Sequence, residues 1–136
     1  MDFMTWTSDM SVGVTVLDDD HKKLMGIINQ LHYGIKAGHS REVLEAVLGQ
    51  LVDYTKFHFA REEEMLVKTE YLATPAHKIE HDNFVNRISN LQTRLKSAPV
   101  VMLDLELMSF LSNWLITHIM GSDKKYGPRL NAHGIF

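Results

Sequence analysis

Imidazole and carboxylate groups stand in this sequence at positions where an ordinary helical core would have leucines. Four stretches repeat at steps of three and four, the period of a helix with one buried face. The first passes through His21, Leu24, Ile28, Leu31 and Ile35, and the second through Val47, Leu51, Tyr54, His58, Glu62 and Met65. The third carries His77, His81, Phe84, Ile88, Leu91 and Leu95, and the fourth Leu103, Leu107, Leu111, Trp114 and His118. His21, His58, Glu62, His77, His81 and His118 therefore share the inward-facing register. A buried carboxylate or imidazole without partners costs several kcal/mol. One such residue reads as a core histidine satisfied by a neighbour. Six on four helices need a common cause, and a metal centre supplies one. It neutralises the carboxylates and engages the ring nitrogens together.

The spacings agree. His58 and Glu62 are four residues apart, as are His77 and His81, so each pair shares a helix face. His21 joins them from the first helix and His118 from the fourth. Asp123, five residues beyond His118, is rotated off that face in an ideal helix. The spacing predicts that the helix loosens or bulges near Gly121 and brings Asp123 back inward. Five histidines and two carboxylates are too many for one tetrahedral zinc. They suit two metals of higher coordination bridged by the carboxylates. A set of imidazoles and carboxylates without sulfur suits iron or manganese.

With no strand-like alternation, four amphipathic helices on short connections read as all-α, an antiparallel up-down-up-down four-helix bundle. We expect a single domain over 1–136. Residues 1–17, with Trp6, Val12, Val14, Val16 and Leu17, form a non-helical arm laid against the bundle. The bundle itself spans 18–127, and 128–136 is a tail. Asp18 and Ser40 are expected as N-caps, as is Thr74 with Pro75 opening the helix behind it. Gly38 should stop the first helix, Pro99 should precede the fourth, and Gly127 and Pro128 should end the ordered chain.

Composition narrows the function. The formal charge of −3 gives no electrostatic reason to expect nucleic acid or an anionic membrane. No cysteine is present, which removes disulfides, thiolate metal sites, iron–sulfur clusters and a cysteine nucleophile. The apolar stretch from Met102 to Met120 is broken by Asp104, Glu106, Asn113 and His118, so membrane insertion is not expected. No secretory leader is visible before Trp6, and the expected compartment is the cytoplasm.

The runs Asp20-His21-Lys22-Lys23-Leu24, His58-Phe59-Ala60-Arg61-Glu62-Glu63, His77-Lys78-Ile79-Glu80-His81 and Trp114-Leu115-Ile116-Thr117-His118-Ile119-Met120-Gly121-Ser122-Asp123 resemble the hemerythrin family, of the bacterial type. The likeness covers nearly the whole chain. It implies two unequal iron ions. His77, His81 and His118 would hold one, and His21 and His58 the other. Glu62, Asp123 and an oxo or hydroxo group would bridge them. The iron with two histidines would keep an open position for dioxygen. By resemblance and spacing, Leu24, Trp114, Leu115 and Ile119 would form an apolar wall that keeps out water and protons; equally, each reads as plain core. The implied protein is not an enzyme but a monomeric oxygen store or carrier. Its partners would be dioxygen and an oxygen-consuming enzyme or a reductase. Oxygen or redox sensing and iron storage are the alternative uses of such a site, and the lack of an attached output domain favours storage or delivery.

Two rival chemistries fit less well. Ferritin-like di-iron enzymes use Glu-x-x-His motifs, and this sequence has none. His77 to His81 matches the His-x-x-Glu-His order of one zinc-protease class, but that would leave His21, His58, Glu62, His118 and Asp123 without a purpose. His32, His39 and His133 read as surface residues. Glu63, Glu64 and Glu80 read as solvated, although Glu80 or Asp20 could orient a ligand histidine.

Overall fold

A computed structural model describes the backbone of residues 3–97 and 100–136. Pro99 and the side chain of Leu103 lie outside the described residues. Four long helices, α1 (Thr15–Lys36), α2 (Arg41–Lys68), α3 (Thr74–Leu95) and α4 (Val100–His118), follow one another. Each packs on the next, and α4 closes the ring against α1. The architecture is the expected four-helix bundle, and no strand occurs among the described residues. Nor is any helix among them long and apolar enough to cross a membrane.

The helix ends show local chemistry at work. Ser40 caps α2 by accepting the Val43 N–H. Gly38 takes φ +73° just past α1, the left-handed geometry that ends a helix without a Cβ penalty. Asp18 is not the cap of α1, because the helix begins earlier, at Thr15. Its carboxylate instead reaches back to accept the Val12 N–H at 2.9 Å and the Ser11 hydroxyl at 2.6 Å. Thr74 likewise lies one position inside α3, whose cap is Ala73.

The arm expected to be non-helical over residues 1–17 contains a 3-10 turn at Ser8–Met10 and is shorter than that, because Thr15, Val16 and Leu17 already belong to α1. Met4 exchanges two backbone hydrogen bonds with the Asn29 amide, at 2.7 and 2.8 Å. Met4, Val12 and Val14 are buried.

The C-terminal expectation fails. Past α4 the chain forms a π turn at Ile119–Asp123 and then α5 (Lys124–Ala132), which runs straight through Gly127 and Pro128. Proline inside a helix costs about 3 kcal/mol. Tyr126 and Leu130, both fully buried, offset that cost, since large side chains gain about 1.5–3 kcal/mol each on burial. Arg129 donates to the Thr69 carbonyl at 2.7 Å, and Asn131 to the Gly13 carbonyl at 3.0 Å. Gly127 serves close packing, because a Cβ there would run into the Val12 carbonyl oxygen. Gly127→Ala should therefore force α5 off the arm and destabilise the protein by about 1–3 kcal/mol, the usual cost of overpacking. Chemical denaturation measures this, and an unchanged midpoint would show that α5 can shift freely.

The core is split. One apolar cluster holds Leu24, Leu51, Phe59, Phe84, Leu115 and Ile119 among others, and a second holds Val12, Val14, Leu17, Leu66, Tyr126 and Leu130. On α1, His21 lies between Leu17 of one cluster and Leu24 of the other. On α2, Glu62 precedes Leu66 by one turn. The polar residues thus form a layer between two apolar ones.

Candidate metal centre

All seven expected ligand residues converge in that layer. Each of His21, His58, Glu62, His77, His81, His118 and Asp123 is at most 3% exposed. Asp123 reaches it because the π turn begins immediately after His118, adding the residue that an α-helix could not accommodate. The side chains form two overlapping groups, each with ligand-capable atoms within 4.8 Å of one another. One is Glu62, His77, His81, His118 and Asp123, and the other is His21, His58, Glu62 and Asp123. Glu62 and Asp123 belong to both. Glu62 Oε1 lies 2.7 Å from His77 Nε2 and 2.9 Å from His81 Nε2, while Oε2 lies 3.3 Å from His58 Nε2. Asp123 approaches His118, His77 and His21 at 2.9, 3.0 and 3.1 Å.

Carboxylates outside the layer set the tautomers. Asp20 is 2.9 Å from His58 Nδ1, Glu63 is 2.8 Å from His81 Nδ1, and Glu80 is 3.4 Å from His118 Nδ1. In a neutral ring, the state a metal requires, an Nδ1–H donated outward leaves a lone pair on Nε2 facing inward. His81 Nε2 and His118 Nε2 then face each other at 3.1 Å. Two lone pairs at that distance repel, so the spacing is not a hydrogen bond between these tautomers. A cation reached by both nitrogens removes the repulsion. The two Asp123 oxygens and both His21 nitrogens are buried without a well-angled hydrogen bond, despite the short ion-pair distances to Asp123. Unsatisfied atoms of this kind are rare in native cores. The donor set therefore fits metal.

The protonation behaviour points the same way. Burial works against charge on His58 and His77, but the hydrogen bonds they donate to Asp20 and Glu62 raise His58 to about 9, and those donated to Asp123 and Glu62 raise His77 to about 10. Burial would lift Glu62, yet the surrounding histidines hold it well below the ordinary carboxylate range. In the metal-free chain at neutral pH these imidazoles keep protons that a metal must displace. Affinity for divalent manganese should rise about tenfold per pH unit for each displaced proton between about pH 6 and pH 8. Titration in weak buffer would also show acid release. A pH-independent affinity would mean that the imidazoles are already neutral.

Tyr126, on the unexpected α5, donates its hydroxyl to Glu62 Oε2 at 2.7 Å. Burial and the nearby charges of Asp123 and Glu62 push its phenol well above the usual value, so it stays a donor. Glu63, expected to be solvated, is instead the partner of His81. Glu80 also accepts the Ser122 hydroxyl at 2.8 Å. His39 and His133 are exposed, and His32 stacks on Phe3 at 4.5 Å, so none of the three joins the site.

One helical turn from the ligand layer lies a small cavity of about 10 Å³. Leu24, Trp114 and Leu115 line it as expected. Ile119 is fully buried in the same cluster but is not among the lining residues. Sequence reasoning missed Ile28, Leu51, Thr55, Phe59 and Phe84, which complete the wall. Phe59 stacks on His81 at 3.7 Å between ring centres, and Trp114 on His118 at 4.4 Å. The cavity wall and the ligand layer are thus one packed unit.

Fold and site together define a helical-bundle protein built around a buried imidazole–carboxylate metal site. The hemerythrin HHE cation binding domain matches residues 12–130. The chain is 32% identical to a bacteriohemerythrin of Stenotrophomonas maltophilia, over 98% of this chain and 85% of that protein. It is 35% identical to a bacteriohemerythrin of Methylococcus capsulatus, over 97% and 100%. A crystal structure of wild-type hemerythrin superposes with a TM-score of 0.86 at 34% identity, covering 94% of this chain and 98% of that one. A hemerythrin variant with a leucine replaced by alanine gives 0.88, covering 96% and 98%. The chain belongs to the hemerythrin family.

Proposed function

We propose that this protein binds dioxygen reversibly at a pair of iron ions and serves as an oxygen store or carrier rather than an enzyme. His77, His81 and His118 would hold one iron and His21 and His58 the other, with Glu62 and Asp123 as ligands common to both. When bound, the reduced pair would supply electrons to dioxygen and recover them on release. The observation that carries this reading is the pair of inward-facing Nε2 atoms on His81 and His118, 3.1 Å apart, with the outward Nδ1 atoms turned to Glu63 and Glu80.

The chain's own residues do the rest. Asp20, Glu63 and Glu80 hold the imidazole orientations. Tyr126 steadies the Glu62 carboxylate through its hydroxyl. Leu24, Leu115 and Phe59 keep bulk water from the space beside the metal-holding residues, since water and protons would promote irreversible oxidation. The working form in this proposal is a cytoplasmic monomer kept reduced by a reductase, delivering to an oxygen-consuming enzyme. Anaerobic loading with ferrous iron followed by metal analysis tests the site. Two irons per chain are expected, and one or none would defeat the paired assignment.

A further inference from the structure

Thr55 is 2% exposed, and its hydroxyl has no hydrogen-bond partner. A buried hydroxyl left without a partner is destabilising. Helical threonines ordinarily return this group to the carbonyl four residues back. Thr69 does so to Met65 at 2.9 Å and Thr93 to Ser89 at 3.1 Å. Thr55 does not, and it lines the apolar cavity beside the metal layer.

Its place on α2 is informative. Thr55 is three residues before His58 and seven before Glu62, hence on the same helix face. The rise of 1.5 Å per residue sets it about 4.5 Å along the axis from His58. Leu24 stands three residues from His21, and Leu115 three from His118, so these walls share its level. The other lining residue with a polar side-chain atom is Trp114, which also lines the open groove between α3 and α4. A buried water needs two to four polar partners. This cavity is ill-suited to water and well suited to a guest that accepts a single hydrogen bond.

We propose that the Thr55 hydroxyl is a specificity-determining hydrogen-bond donor to the outer atom of a small linear ligand, dioxygen or a triatomic anion, seated in this cavity. The inference rests on the dioxygen-binding reading of the metal centre. It assigns the ligand a protein partner in a wall otherwise made mostly of hydrocarbon.

The test uses sodium azide as probe on the oxidised, iron-loaded full chain, comparing wild type with Thr55→Val and Thr55→Ser. Loss of one net hydrogen bond should weaken azide binding by about fivefold in Thr55→Val. Thr55→Ser should stay within about twofold of wild type. The melting temperature of ligand-free Thr55→Val should not fall, because the variant no longer buries an orphaned hydroxyl. Equal azide affinity in wild type and Thr55→Val would overturn the assignment of Thr55 alone. So would a lower melting temperature with unchanged affinity, which would mark Thr55 as structural. A wild-type protein that takes up no iron, or that holds iron and binds neither azide nor dioxygen, would overturn the dioxygen reading and this inference with it.

Discussion

Replacing Glu62 with alanine is expected to remove the paired metal site, reducing iron from two ions per chain to one or none. Glu62 is fully buried and has oxygens within 3.3 Å of His58, His77 and His81. It is one of only two side chains among the described residues common to both ligand groups. Without it, five imidazoles would share the negative charge of Asp123 alone. The Tyr126 hydroxyl, now bonded to Glu62, would also lose its partner at a cost of about 1–3 kcal/mol. Glu62→Gln separates these effects. It keeps an acceptor for Tyr126 and a similar shape, but not the charge, so it should fold better than the alanine variant and still load poorly. Metal analysis with thermal unfolding reads both quantities. Two irons per chain retained in Glu62→Ala would contradict the bridging role.

Leu115→Tyr should shorten the lifetime of the oxygenated protein by roughly tenfold or more. Leu115 is buried and lines the cavity one turn from His118. A phenol there brings a proton donor and admits water to a wall now built mainly of Leu24, Ile28, Leu51, Phe59 and Phe84. A hydrogen bond to a charged group is worth about 1.5–3 kcal/mol, and each 1.4 kcal/mol changes a rate about tenfold. Loss of the oxygenated spectrum with time in air measures the effect. An unchanged lifetime would mean that the protective wall lies elsewhere.

Most of the bundle could be read from periodicity, because helices with one apolar stripe have few ways to bury it. The ligand layer was equally legible, since charged and imidazole groups at core positions break the pattern visibly. Even the π turn followed from a spacing: Asp123 could reach the interior only if the helix gained a residue. Other features depend on contacts distant in sequence. Gly127 and Pro128 look like a stop until the Val12 carbonyl is seen pressed against α5. Glu63 sits beside a core position and reads as solvated until α3 brings His81 to it. Thr55 passes for a β-branched packing residue, and only the packed structure shows its hydroxyl without a partner. Ile119 has the right spacing for the cavity wall, but the opening of the π turn begins at that residue.

The most direct measurement of the central claim is the visible spectrum of the anaerobically reduced, iron-loaded protein as oxygen is admitted and then removed. A coloured band that appears with oxygen, fades on its removal and returns through repeated cycles is the predicted result. A band that persists after oxygen is withdrawn, or that never forms despite two irons per chain, would contradict reversible dioxygen binding.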